Sequence, residues 1–456
     1  MVSDTDTDTE TAITAGPRGV PVLGNLPQFA KDPLAFFSAL RACGTGQVSW
    51  AMGRTPARFL NDPALIGELL SARESTFSLP DLGWSFRYLM GEGVVVAKGA
   101  DWRRKRSLVQ PSVRPRQIRA YAATMADCAR ELAERWSADE RIDVRREMTG
   151  LTQRIAVRTV FGTDAAVREE VIGRCMDVAQ QQMGAEFRGL GAMLPDWFRT
   201  PGRIRFKAAV DTLDAEVARI VAVRRKAGAE RDDLLSRLLA AVDEAGVPLT
   251  DKEIRDETVT LYNAGHETTA TTLTWAWYLL SRNPEAREAL TDELDRVLGG
   301  RTPGFDDYTR LRWTEAVVKE TLRVRPTVWL NLAVAEEGAT LGGEPVPAGT
   351  QVWISPWATH RDPRWWPEPE EFRPERWLDG APDAITDHTW FPFGGGTRAC
   401  LGARFAMVEA VIVLATLGSR FHLDTSDEEI HPTVGLTLQP DRDVLAVTRP
   451  VPSSAR

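Results

Sequence analysis

The sequence predicts a mainly α-helical protein with small β-sheets, of the α+β class. Three observations carry this. Capped, amphipathic stretches fill residues 115–242 and most of 250–325. Short apolar runs bounded by glycine or proline occur near residues 47–60 and 338–354. A glycine-rich loop, Phe391 to Gly402, presents Cys400 directly ahead of an apolar run from Phe405 to Leu417 at helical spacing. The chain has 456 residues, 43% apolar and 26% charged. Length alone would allow three domains, but no linker or composition break divides the chain. One unit over residues 17–456 is expected, after a polar, acidic and disordered stretch over 1–16.

Bulk properties narrow the function. A net charge of −8 argues against a nucleic-acid binder. The four cysteines, Cys43, Cys128, Cys175 and Cys400, are widely spaced without a C-x-x-C pair. That pattern fits a reducing compartment, with neither a disulfide framework nor a zinc site. The first residues lack a basic segment and an apolar core, and no run of about 18 apolar residues occurs. A soluble, cytoplasmic monomer without a membrane anchor is expected.

Taken in order, Pro17–Gly24 is an entry segment that proline and glycine keep from being helical. Asp32 caps a helix carrying Phe36, Phe37 and Leu40. Gln47–Met52 and Ala57–Leu60 read as a hairpin, and Asp62-Pro63 opens another helix. Thr76–Gly99 reads as irregular and rich in large apolar groups, among them Trp84 and Phe86. It is either a packing cluster under a loop or the wall of an apolar pocket. Asp101 is expected to cap the next helix, which places Trp102 and Arg106 on one face. An indole N–H and a guanidinium there suit a carboxylate ligand; the bland reading is a solvated basic face. Around Gly184–Gly202 the helical pattern breaks into an apolar, aromatic stretch with Phe187, Leu190, Leu194, Trp197 and Phe198.

Thr250-Asp-Lys-Glu253 is a capping box. The helix it opens reaches Arg282 and is about 48 Å long at the α-helical rise. Its middle reads Ala264-Gly-His-Glu-Thr-Thr269. Glycine there costs about 1 kcal/mol relative to alanine, and Thr268 can bond back to the Ala264 carbonyl. Together they would allow the ladder to open locally. Glu267 beside Thr268 then reads as a proton relay, against the plain alternatives of an ion pair and a satisfied hydroxyl. His266 is a candidate ligand, but Cys400 is better placed. Glu320 and Arg323 lie about one turn apart on a helix over Thr314–Arg325. Gly338–Val346 and Gln351–Ile354 read as short strands.

At Cys400, the following helix N-terminus and nearby Arg398 favour a thiolate. Four glycines admit a flat ligand, and Phe393 can shield the sulfur. A lone thiolate on such a loop suggests axial ligation of haem iron. The bland reading is a buried structural thiol.

Phe393, Gly396, Arg398, Cys400 and Gly402 match the F-x-x-G-x-R-x-C-x-G loop, and the chain resembles the cytochrome P-450 superfamily over about Pro17 to Val451. The resemblance implies the P-450 fold, with haem b buried between the long central helix and the cysteine-loop helix. It implies Cys400 as iron ligand. Trp102, Arg106, Ala264, Phe393, Arg398 and Gly402 would complete the cofactor site. Glu267–Thr268 matches the acid–alcohol motif that relays protons to dioxygen. Glu320, Arg323 and Arg376 match E-x-x-R and P-E-R and would form a buried three-way ion pair. Trp84, Phe86, Val328 and Trp329 would line the substrate pocket. Relatives often carry a propionate-binding arginine where this chain reads Asn331-Leu-Ala-Val-Ala335; without it, His360 is a further candidate.

The expected activity is insertion of one atom of O2 into an apolar small molecule, tailoring a terpenoid or polyketide. Fatty-acid hydroxylation is the alternative, and a peroxide-driven peroxygenase or a non-catalytic haem sensor would be other classes. Electrons would come from a separate ferredoxin or flavodoxin with its NAD(P)H reductase. Arg103, Arg104 and Lys105 are the expected docking patch.

Overall fold

The computed structural model describes residues 13–44, 46–163, 167–188, 195–227, 232–378 and 387–451. The chain forms two compact units, Met1–Asp81 with Leu322–Cys400, and Leu82–Thr321 with Leu401–Arg456. Each unit draws on two separated segments, so no linker marks the division in the sequence.

The first unit is built on a six-stranded sheet in the order Ile13–Ala15, Gln47–Met52, Thr55–Leu60, Gln351–Ile354, Asn331–Ala335, Phe77–Ser78. The second and third strands form the expected hairpin, which turns at Gly53 with φ +62°. Side chains alternate between the two faces. Trp50, Phe59 and Trp353 point to one face, where the Pro33–Cys43 helix adds Phe36 and Phe37. Phe37 is fully buried, and burial of such a side chain contributes about 1.5–3 kcal/mol. Leu60, Val352 and Ile354 point to the other face and pack with Leu65, Ile66, Leu69 and Leu70 of the Pro63–Ala72 helix. Asp32 and Asp62 cap these helices as expected, accepting from Ala35 N–H at 2.9 Å and Ala64 N–H at 2.7 Å.

The second unit is organised on the Asp251–Arg282 helix, 32 residues long, opened by the capping box at Thr250 and Glu253. It is buried almost continuously from Thr269 to Leu280, because other helices surround it. Val144–Phe161 is one of them. The Ala403–Gly418 helix is buried from Met407 onward. Glu169–Arg188 packs with Pro201–Ala227, and a three-stranded antiparallel sheet pairs Phe421–Thr425, Leu445–Pro450 and Arg141–Asp143.

Several local expectations are corrected. Ile13–Ala15, expected in the disordered stretch, pairs in parallel with Gln47–Ser49; residues 1–12 lie outside the described residues. The segment read as irregular contains the Trp84–Met90 helix and the Phe77–Ser78 strand. Flanking glycines at 83 and 91, both with positive φ, hid the helix by making the stretch look loop-like. Asp101 is not the cap of the Gly99–Val109 helix: Lys98 is, and Asp101 sits in the first turn. Asn331–Ala335 is a strand, antiparallel to Gln351–Ile354. Of the Gly184–Gly202 interruption, Leu190, Leu194 and the side chain of Phe187 lie outside the described residues. Trp197 and Phe198 are exposed, with ring centroids 6.0 Å apart.

Candidate active site

In the first unit the cysteine loop is closed by its own backbone. Gly394 N–H donates to the Phe391 carbonyl at 3.0 Å, and Cys400 N–H donates to the Phe393 carbonyl at 2.9 Å. Gly396 has φ +61°, and a Cβ there would lie 2.0 Å from the Leu70 carbonyl oxygen. Only glycine meets both conditions. By contrast, Gly402 has φ −89° and a Cβ on it would meet nothing within 4 Å, so nothing described in the fold demands a glycine there. Cys400 is exposed, while Cys128 and Cys175 are buried. Burial pushes the Cys128 thiol up to about 11 and raises Cys175 also. Cys43 is half-buried, which leaves Cys400 as the exposed one of the four.

Arg398 pairs with Glu74, Nε to Oε1 at 2.8 Å and Nη2 to Oε1 at 2.5 Å. The partner lies 324 positions away in sequence and carried no signal. Phe393 is half-buried, its ring edge-on to Trp390 at 6.4 Å. His360 does not remain available as a carboxylate donor. Its Nε2 accepts the Phe391 N–H at 2.9 Å, which puts its proton on Nδ1. Burial, and then Arg323 and Arg361, hold it neutral. It braces the entry to the loop.

Glu320 and Arg323 are both fully buried, which excludes a surface helix pair. Arg323 donates to the carbonyls of His360 at 2.9 Å and of Pro369 and Glu371 at 2.7 Å each. It thereby fixes the stretch ahead of the cysteine loop. Arg376 donates to the Glu368 carbonyl at 2.9 Å. Trp329 is corrected: expected in the pocket, its ring lies 6.1 Å from Phe37 among the sheet's aromatic residues and is 2% exposed. Val328 beside it is 36% exposed.

In the second unit, Ala264 is exposed and Gly265, Glu267 and Thr268 are half-buried on an otherwise buried helix. Ala264 and Thr268 are one turn apart and share a face. Thr268 Oγ1 donates to the Ala264 carbonyl at 3.0 Å as expected, and Thr269 repeats the bond to Gly265 at 3.2 Å. The helix nevertheless runs unbroken through this point; the expected opening of the ladder is not present. A Cβ on Gly265 would meet nothing within 4 Å.

Glu267 turns away from Thr268. It accepts from Thr437 Oγ1 at 3.0 Å and Gln439 Nε2 at 2.9 Å. Burial raises its pKa, while these two donors and Arg145 oppose the rise. It faces a polar cavity of about 710 Å³ whose lining includes Arg145, Gln153, Gln180 and Gln439. Arg145 donates to Gln439 at 2.5 Å, so a polar chain runs from the cavity to the carboxylate. Thr437 and Gln439 were missed because a short strand pair brings them in from the far end of the sequence. His266 points elsewhere: Nδ1 is 2.9 Å from the Tyr262 carbonyl and Nε2 is 3.1 Å from Gln180. Burial depresses its pKa.

Trp102 is buried with Val94 and Ala97, and Arg106 on the same face is half-buried. The neighbouring cations are corrected. Lys105 is buried and bonds the Glu92 carbonyl at 2.6 Å and Asp101 at 2.7 Å. Arg104 is neutralised by Asp243 at 2.7 Å and Glu253 at 2.5 Å. Of the three expected docking cations only Arg103 is exposed. Glu257 of the long helix ties this region down by accepting Val94 N–H at 3.1 Å, and burial raises its carboxyl to about 7. Trp84 packs onto the Pro201–Ala227 helix, edge-on to Phe206 at 5.2 Å and beneath the Arg203 guanidinium at 4.8 Å. Phe86 is half-buried beside the same core.

The family model for Cytochrome P450 matches residues 14–447. The chain belongs to the cytochrome P450 family. Among its relatives is cyclooctatin synthase of Streptomyces melanosporofaciens, 37% identical and covering 90% of each chain. Cyclooctat-9-en-7-ol 5-monooxygenase of the same organism is 34% identical over 92% of this chain and 90% of its own. Pentalenene oxygenase of Streptomyces avermitilis is 33% identical over 94% and 93%. As a cytochrome P450 this protein is a haem-thiolate monooxygenase using O2 and electrons from redox partners. The residues fit that cofactor: an exposed cysteine stands in a backbone-closed loop that tolerates no Cβ at Gly396, with Arg398 alongside. Among the described residues no helix is long and apolar enough to cross a membrane.

Proposed function

We propose that this cytochrome P450 hydroxylates or epoxidises a small apolar terpenoid in a tailoring step. The observation that carries this is that three relatives, each aligned over at least nine-tenths of this chain, are a cyclooctatin synthase, a cyclooctat-9-en-7-ol 5-monooxygenase and a pentalenene oxygenase. Cys400 ligates the iron of haem b, which when bound supplies the activation of dioxygen. Phe393, Arg398, Trp102, Arg106, Ala264 and Gly402 complete the cofactor's surroundings, and Phe86 and Val328 contribute to the substrate wall. Glu320, Arg323 and Arg376 form the ion-pair network behind the cysteine loop.

Proton handling belongs to the long helix. A carboxyl raised above its ordinary range keeps a larger protonated fraction near neutrality. Glu267 holds that proton at its Oε atoms, and Thr437 and Gln439 fix its resting position. The polar cavity resupplies it. A χ rotation of Glu267 toward the Thr268 hydroxyl carries the proton to the accessible face of the helix. Electrons come from a separate ferredoxin or flavodoxin and its NAD(P)H reductase, in the cytoplasm, with the enzyme a monomer.

The test is a titration of the ferric protein against terpene hydrocarbons, terpene alcohols and fatty acids matched in carbon number. The high-spin shift should saturate at least tenfold lower for the terpenoids; tighter binding of the fatty acids overturns the proposal. Cys400→Ser should abolish the red-shifted Soret band of the reduced carbon monoxide complex, and retention of that band would remove Cys400 as the ligand.

A further inference from the structure

The end of the Pro63–Ala72 helix carries two consecutive charged residues, Arg73 and Glu74, directly beside the cysteine loop. Thr397 Oγ1 donates to the Arg73 carbonyl at 3.0 Å, which fastens the turn to the loop. Glu74 is held at φ +67°, a conformation side chains other than glycine seldom adopt. That turn delivers its carboxylate to Arg398. A strained residue kept at such a position points to a built arrangement.

The Arg73 guanidinium lies close enough to Arg398 for their repulsion to be felt, with Glu74 opposing it. Burial is the larger effect, and together they bring Arg73 down to about 10. Its Nη2 donates to the Leu332 carbonyl at 3.2 Å. Its Nε is shielded from solvent and meets no hydrogen-bond acceptor among the described residues. At Nε the guanidinium loses hydration without replacing it. Leu332 belongs to the strand that lacks an arginine. Arg73 therefore brings a guanidinium from another element to that strand's backbone.

We propose that Arg73 binds a carboxylate of the cofactor, acting with Arg398 as a second guanidinium that takes the place of the arginine absent from Asn331–Ala335. This rests on the reading that the cofactor is haem b, whose propionates are the carboxylates. A planar fork presenting Nε–H and an Nη–H to one carboxylate satisfies the Nε that the protein leaves unpaired. It also brings an anion to two neighbouring cations.

The test uses purified holoprotein of the parent, Arg73→Met and Arg73→Lys. Transfer of haem to excess apomyoglobin should be ten- to a hundredfold faster in Arg73→Met, the range for loss of a charge-assisted hydrogen bond. A propionate bending band in the resonance Raman spectrum should move in both variants. Arg73→Lys keeps the charge but not the fork, so its haem loss should fall between the other two. The variants should keep the parent's red-shifted carbon monoxide band, since Cys400 is untouched. Haem loss within twofold of the parent, or propionate bands that do not move in either variant, overturns the proposal. A parent without the thiolate band would instead overturn the underlying haem-thiolate reading.

Discussion

The cysteine loop and the centre of the long helix are both short motifs, yet they are constrained differently. In the loop, backbone geometry decides: Gly396 combines φ +61° with a carbonyl 2.0 Å from where a Cβ would stand. At Ala264–Thr269 the backbone is ordinary helix and a Cβ on Gly265 would meet nothing within 4 Å. There the side chains set the segment apart, and Glu267 and Thr268 rest on different partners. The loop proposed to hold the cofactor is fixed by its backbone, and the helix centre proposed to move protons differs from plain helix only in its side-chain partners.

The comparison predicts unequal responses to the same substitution. Gly396→Ala should leave little haem-loaded protein, costing about 3 kcal/mol or more through strain and clash. Gly265→Ala should instead stabilise the helix by about 0.5–1 kcal/mol. Haem-to-protein ratio and thermal denaturation of the two variants check this, and equal effects would break the contrast.

Titration separates the long helix from the loop as well. Glu257 is fully buried and its folded pKa is raised to about 7. The folded state therefore binds more protons than the unfolded state between about pH 4.5 and 7. This contribution is present at low pH and lost as pH rises through 7. The loss amounts to about 3 kcal/mol at most. Glu257→Gln keeps an acceptor for Val94 N–H and should flatten the decline in stability from pH 5 to 8. A parent-like pH profile in the variant would remove Glu257 as its cause.

A smaller effect is expected at the relay. Thr268→Ala should bind substrate like the parent, yet divert several-fold more of the oxygen consumed to peroxide or water. Glu267→Gln should lose the decline in coupling with rising pH that a raised carboxyl pKa implies. Equal coupling in Thr268→Ala and the parent would take the hydroxyl out of the reaction.

The smallest effect is expected at the tryptophan-bearing helix. Arg103→Glu should change reduction by an acidic ferredoxin less than about twofold even at low salt, because Arg104 and Lys105 are already paired. A tenfold loss would restore this helix as the docking surface.

The sequence by itself determined the fold class, the cysteine loop, the capping box at Thr250 and the back-bond from Thr268 to the Ala264 carbonyl. These are local: each follows from residue types at fixed spacing, where backbone conformation and helix periodicity act over a few positions. It also determined that Gly396 and Cys400 belong to one loop, though not that Leu70 is what forbids a side chain there. Tertiary structure alone decided the directions of side chains and the charges left uncompensated. Trp329 went to the sheet's aromatic face, Lys105 was buried and paired, and Glu267 turned to Thr437 and Gln439. Arg73 and Glu74, unremarked in the sequence, were brought beside Arg398 across more than three hundred residues. The reason is physical: a side chain's environment is set by which distant segments pack against it, and one sequence records residue types without their partners.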